Sequence, residues 1–275
     1  MRPLKLSMLE KSLRYAVAGA GIAACLAVVG CASSATDPTV GWSPNKLYEE
    51  AKDQANSNAW DKAIALYEKL EGRAAGTPLA QQAELEKAYA QYRNGEQAQA
   101  VATLDRFIKL HPGSPALDYA YYLKGLVNFN DSLGFMGRYV SQDLAERDQK
   151  ASKESFEAFK QLVERFPDSK YTTDAKERLV YLVGSLARYE VHVAQYYFSR
   201  GAYVAAINRA QTAISEYKEV PAVEDGLWIL VQSYEKLGMK DLAADSRRVM
   251  QKSFPQSRYL ADEANGSGKS WWKLW

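Results

Sequence analysis

Residues 196–217 read YYFSRGAYVAAINRAQTAISEY, with one glycine, Gly201, between two helix-friendly runs. Glycine adopts backbone angles that residues bearing a Cβ avoid, so Gly201 suits a tight turn between helices. Ala205, Ala206, Ala210 and Ala213 recur at helical spacing and would let the two helices approach closely. Taken alone, the stretch predicts a single helical hairpin. Its weight depends on whether the pattern recurs.

It does recur, and the prolines give the period. Pro78 and Pro112 are 34 residues apart, as are Pro221 and Pro255; Pro112 to Pro167 is 55 and Pro167 to Pro221 is 54. Each longer interval is one 34-residue unit with 20 or 21 residues added, so five prolines mark the ends of five repeats. Gly95 precedes Pro112 by 17 residues and Gly238 precedes Pro255 by 17, whereas Asn58 to Pro78 and Gly201 to Pro221 are each 20. Between residues 45 and 264 apolar positions follow helical periodicity, with little to suggest strands. Small residues at Ala63, Ala100, Gly125, Ala206 and Ala243 stand where the helices of each pair should cross. This helix-turn-helix period ending in proline resembles the tetratricopeptide repeat. The expected fold is all-α, a solenoid of five helical hairpins at about 45–78, 79–112, 113–167, 168–221 and 222–255 with a terminal cap. One such hairpin cannot bury its apolar face alone, and stacking several creates a continuous core with a concave inner wall.

The added residues are placed by the same reasoning. In repeat three they form a loop, residues 132–150, and in repeat four they extend the first helix over residues 173–199, with Thr172, Thr173 and Asp174 offered as caps. A long loop in a compact array is more often functional than idle.

The chain has 275 residues and a formal charge of +2. Its first thirty residues hold Arg2, Lys5, Lys11 and Arg14 against only Glu10; without them 31 basic residues face 32 acidic ones, a net of −1. That balance argues against a nucleic-acid partner. The same thirty residues read as a targeting segment, with a basic start and the apolar run at 15–30, YAVAGAGIAACLAVVG. Sixteen residues fall short of the ~20 of a comfortable membrane span. The segment 28–31, VVGC, resembles the lipobox of bacterial lipoproteins, and 22–25, IAAC, fits the same loose pattern. Cys31 is preferred because cleavage before Cys25 would leave LAVV as a greasy start, whereas Cys31 opens a polar tether over 31–44. The alternative is a plain secretory signal with a free cysteine. If Cys31 is lipidated, Cys25 leaves with the signal and no intramolecular disulfide is possible. Ala32 after the cysteine points to the outer membrane by the sorting preference of such lipoproteins.

Parts for catalysis are scarce. Two histidines, His111 and His192, and at most one mature cysteine leave little for nucleophilic or zinc chemistry, so no catalytic residue, metal site or cofactor is expected beyond the covalent lipid on Cys31. His111 precedes Pro112 at a helix end and is expected to cap carbonyls, with His192 packed or exposed within the long helix. No cluster of titratable residues stands out on one helical face. Residues 265–270, NGSGKS, end like a phosphate loop but lack its first glycine and a preceding strand, and read as a linker. Beyond it, 271–275, WWKLW, puts three indoles in five residues, suited to folding back on the last repeat or to docking on a partner or a lipid surface.

Four segments carry a closer resemblance: 105–108, DRFI; 117–126, LDYAYYLKGL; 166–175, FPDSKYTTDA; and 200–209, RGAYVAAINR. They are similar to runs at matching places in the BamD family, lipoproteins of the bacterial outer-membrane β-barrel assembly machine. Where that family has a Tyr-Pro-Phe-Gly turn after the first repeat, this chain has Arg73-Ala74-Ala75-Gly76. The resemblance implies a non-catalytic scaffold that binds the POTRA region of BamA through its carboxy-terminal repeats and contacts accessory lipoproteins. It also implies recognition of unfolded outer-membrane barrel proteins by the amino-terminal repeats. Arg209, with Arg200 and Tyr203 in the same string, is the implied BamA contact. A groove lined by the first helices of repeats one to three would carry Tyr48, Tyr89, Tyr92, Tyr121 and Tyr122, and core packing within the stack competes for each of them. Tetratricopeptide lipoproteins of pilus-secretin assembly or of cell-wall coordination are the rival reading.

Overall fold

The computed structural model describes residues 37–129, 149–217 and 220–264. The expected signal, Cys31 with residues 32–36 of its tether, all but the last two residues of the 132–150 loop, and the 265–275 tail lie outside the described residues. The chain divides into a unit of residues 1–43 and a unit of residues 44–275. In the first, the described residues form a turn held by Asp37, whose Oδ1 accepts from the Thr39 amide (3.0 Å) and hydroxyl (2.8 Å).

The second unit is all-helical among the described residues. Its eleven helices are α1 (Pro44–Asn56), α2 (Trp60–Arg73), α3 (Pro78–Arg93), α4 (Gln97–Leu110), α5 (Leu117–Asn128), α6 (Gln149–Arg165), α7 (Thr172–Ser199), α8 (Tyr203–Glu216), α9 (Ala222–Lys236), α10 (Lys240–Ser253) and α11 (Arg258–Ala264). Successive pairs α1/α2, α3/α4, α5/α6, α7/α8 and α9/α10 form five antiparallel hairpins, and each of these ten helices packs on its neighbours among them along the chain. α11 is the short cap. No described helix is long and apolar enough to cross a membrane.

Four hairpin turns are built alike. Asn58, Gly95, Gly201 and Gly238 have φ of 59°, 81°, 76° and 73°, a region open to glycine and tolerated by asparagine. The next residue donates its amide to the carbonyl five positions back in each case: Ala59 to Gln54 (2.8 Å), Glu96 to Gln91 (2.8 Å), Ala202 to Tyr197 (3.0 Å) and Met239 to Tyr234 (2.9 Å). The closure satisfies a helix-end carbonyl and reverses the chain. Five residues past each turn residue comes Ala63, Ala100, Ala206 or Ala243, each buried where its helix meets its partner. The third crossing uses Gly125, where an added Cβ would stand 2.4 Å from the ring of Phe159.

The prolines lie between hairpins, in two different roles. Pro78 occupies the first turn of α3 behind the cap Thr77, whose Oγ1 accepts from the Ala80 amide at 3.3 Å, and Pro221 immediately precedes α9. Pro112, Pro167 and Pro255 sit in the connecting links. Lacking an N–H, proline is tolerated at a helix start, where that donor would have no partner.

Two local expectations are corrected. α7 spans 28 residues, but its cap is Tyr171 with no side-chain capping bond. Thr172 turns back to donate to the Phe166 carbonyl (2.7 Å), and Asp174 is held by Tyr122 (2.9 Å) and Arg178 (2.7 Å). Gln149 and Lys150, expected at the end of a loop, already belong to α6, whose apolar face buries Phe159 and Leu162.

Candidate binding cleft

A cleft of about 860 Å3 opens between the second and third hairpins. α3 supplies Pro78, Gln81, Gln82, Leu85 and Glu86; the end of α4 and its link supply Phe107, Leu110, His111 and Pro112; α5 supplies Asp118 and Tyr119; and the α6–α7 link supplies Lys170 and Tyr171. The prolines that stop the helices bring the links 111–116 and 166–171 to this side. The cleft is thereby built from helix starts and loops.

Its aromatic wall is continuous. Tyr119 and Tyr171 have ring centroids 5.6 Å apart, and Tyr171 stacks on Tyr122 at 4.7 Å with an 18° interplanar angle. Tyr122 donates to Asp174, which holds the stack against α7. The Lys170 ammonium lies over the Tyr171 ring at 4.9 Å, and Ser169 donates to Asp118 at 2.7 Å. On the opposite wall burial pushes the Glu86 carboxyl above the ordinary glutamate range, with Lys52 pulling the other way. Burial, and then the Glu86 charge, raises the phenols of Tyr119 and Tyr48. The cleft therefore offers flat apolar faces with donor rims beside one reluctant carboxylate.

The five tyrosines expected to line a groove are distributed unequally. Tyr48 accepts from Gln82 at 2.6 Å and so borders the α3 wall. Tyr122 backs Tyr171. Tyr89 packs edge-on to Trp60 at 6.2 Å and accepts from Arg93 at 2.8 Å. Tyr92 packs on the core of the second hairpin. Tyr121 is buried with Phe159 and Leu162, its hydroxyl accepting from Arg165 at 2.6 Å. The cleft wall itself comes from Tyr119 and Tyr171, which helical spacing gave no reason to select. Tyr171 reaches the cleft from a loop.

Beside the cleft lies a charged network that separates in sequence but meets in space. Glu84, 6% exposed, accepts from Arg106 Nε at 2.7 Å and has His111 Nε2 at 3.5 Å; Glu71 pairs with Lys87 at 2.7 Å and with Arg106 at 3.1 Å. His111 thus turns to Glu84 and to the Phe107 ring, 5.0 Å away, in place of the expected carbonyl cap. Both carboxylates have cationic partners, so the network clamps the first two hairpins. A polar residue at Glu84 among the alanines of α3 was the one legible sign of it.

The arginine string is arranged differently from a single patch. Arg209 in α8 donates to Glu190 of α7 at 3.0 Å, and Lys153 approaches the same carboxylate at 3.9 Å. Glu190 is 1% exposed and the Arg209 side chain 44% exposed. Arg200 lies over Tyr196 at 5.3 Å and Tyr203 against Phe198 at 5.4 Å, both at the Gly201 turn. Six residues separate Tyr203 from Arg209, about 240° around a helix, so the two face different directions. His192 is exposed on α7. Among the described residues no group of three or more His, Cys, Asp or Glu could hold a metal.

Comparison with known proteins settles the lineage. The family model YfiO, described as an outer membrane lipoprotein, matches residues 42–250. Over 267 residues the chain is 44% identical to the outer membrane protein assembly factor BamD of Neisseria meningitidis serogroup B, covering 97% of this chain and all of that one. The chain belongs to the BamD family. More distant BamD relatives match over much of their length: 36% identity with that of Xylella fastidiosa strain Temecula1, over 82% of this chain and 75% of that one, and 33% with that of Vibrio cholerae, over 84% and 95%. The BamD likeness therefore spans both the cleft and the helix bearing Arg209.

Proposed function

We propose that the chain is a non-catalytic scaffold for assembling β-barrel proteins at the outer membrane. It is held there by lipid on Cys31, with its cleft engaging unfolded barrel chains and the exposed side of α8 engaging the POTRA region of BamA. The observation that carries this reading is the likeness to BamD assembly factors along almost the whole chain. The cleft supports the substrate half. An extended peptide can lay alternate apolar side chains on the Tyr119 and Tyr171 faces while Gln81 and Asp118 meet its backbone. Arg209 supports the other half, because Glu190 holds its guanidinium in place and leaves it half exposed. Accessory lipoproteins of the same complex complete the partner set.

Affinity isolation from solubilised membranes tests the whole reading: BamA should accompany the chain, and recovery of a secretin or of cell-wall enzymes in its place would refute it. Arg209→Glu should cut BamA recovery several-fold with helical content unchanged. The pair Tyr119→Ala and Tyr171→Ala should weaken binding of an aromatic-ended barrel peptide about tenfold or more while BamA recovery persists.

A further inference from the structure

The side chains lining the cleft that can bear charge near neutral pH are Glu86, His111, Asp118 and Lys170. All but Glu86 are engaged within the protein. His111 faces Glu84 at 3.5 Å, Asp118 accepts from the Ser169 hydroxyl and the Tyr119 amide at 2.7 Å each, and the Lys170 ammonium lies over the Tyr171 ring at 4.9 Å. Glu86 differs. Among the described residues no hydrogen bond or ion pair reaches its half-buried carboxylate.

Aromatic rings surround it. One helical turn earlier on α3, Gln82 donates to the Tyr48 hydroxyl at 2.6 Å, which brings the first helix of the array to this end of the cleft. Tyr48 in turn packs on the fully buried Tyr67, with ring centroids 6.4 Å apart. Burial first, and then the Glu86 charge, raises the phenols of Tyr48, Tyr67 and Tyr119, so the carboxylate stands near all three. None of them donates to it, and the Tyr67 hydroxyl has no partner among the described residues. Lys52 offsets only part of the burial of Glu86: its ammonium lies over the Tyr48 ring, 5.7 Å from the centroid, and forms no ion pair with the carboxylate.

We propose that Glu86, with the ring faces of Tyr48 and Tyr119, forms a subsite for a cationic side chain, arginine or lysine, of the extended segment held in the cleft. The inference rests on the cleft taking such a segment. A partly desolvated carboxylate without a cation is costly, and an arriving guanidinium or ammonium relieves that cost by favouring the charged form. Phenol faces attract the same cation through their π electrons, and the place of Lys52 over Tyr48 shows that this face accepts one. A guanidinium can meet the carboxylate along its edge while stacking on a ring, so arginine suits the subsite best. The cleft thereby selects a residue type as well as gripping an extended chain.

The test uses the full chain in detergent and fluorescent peptides of about ten residues that alternate apolar residues with threonine and end in phenylalanine. Each threonine in turn becomes arginine or its neutral isostere citrulline. At one position arginine should bind about fivefold more tightly than citrulline. Glu86→Gln should bring that ratio close to unity, whereas Asp53→Asn, at an exposed carboxylate of α1, should leave it unchanged. Equal affinity for the two residues at every position would overturn the subsite, as would a preference that survives Glu86→Gln or is lost equally with Asp53→Asn. In those cases peptide binding itself leaves the cleft reading standing. Failure of every peptide to bind, the citrulline forms included, would overturn the cleft reading and the subsite with it.

Discussion

Gly125 shows how much a single position can decide in this chain. Its missing Cβ leaves room for the fully buried Phe159 ring, the only side chain among its three nearest neighbours, at 2.4–2.7 Å from where the Cβ would stand. Gly125→Ala should lower unfolding free energy by about 2–3 kcal/mol, and Phe159→Leu in that background should recover part of it, both measured by urea denaturation. Glu86 makes a prediction of opposite character. Burial raises its folded-state pKa, so the folded chain holds that proton more tightly than the unfolded one. Its contribution is then fully present below the ordinary glutamate value and is lost as pH rises through the raised one. Glu86→Gln should consequently be at least as stable as the parent at neutral pH, with its advantage shrinking on acidification; thermal melts between pH 4 and 7 would read this, about those limits. Sequence marked Gly125 as a small residue at a crossing, yet gave no sign that Glu86 would share a wall with Tyr119. Those two side chains meet only because α3 and α5 belong to successive hairpins.

At the level of the element, the turns were the most legible feature. Gly201 and Gly238 could be recognised because a left-handed residue between two helices is nearly always glycine, and the proline after each second helix set the count. Asn58 does the same work with a side chain, at φ 59°. Gly201→Ala should therefore cost about 1–2 kcal/mol and Asn58→Gly should be close to neutral, a contrast that chemical denaturation of the two variants would resolve. Helix starts were harder to read. Thr172, Thr173 and Asp174 look like caps in sequence, but Thr172 and Asp174 are drawn away by partners outside the local chain, the Phe166 carbonyl and the Tyr122–Arg178 pair. A capping side chain has several acceptors and donors within reach, and tertiary neighbours choose among them.

For the whole molecule, the proposed function would divide the labour, with the repeat array holding polypeptides and lipid on Cys31 holding the membrane. Several acyl chains contribute about 0.8 kcal/mol per buried methylene, enough for stable attachment where one chain would exchange. Cys31→Ala, with a signal that is still cleaved, should move the protein to the soluble periplasmic fraction. Fractionation of cells depleted of complex partners checks this, and continued sedimentation with outer membranes would count against the anchor. The repeat count, the hairpin architecture and the BamD kinship were all determined by the amino-acid sequence itself. Periodicity, proline spacing and short matched strings are properties of the chain read along its length, and a repeat fold is built mainly from contacts between neighbours in that order. The cleft of Tyr119 and Tyr171, the clamp joining Glu71, Glu84, Lys87, Arg106 and His111, and the Glu190 partner of Arg209 were decided by tertiary structure. Each joins side chains from different helices or links, and which of them meet depends on how far each hairpin is rotated and offset against the next.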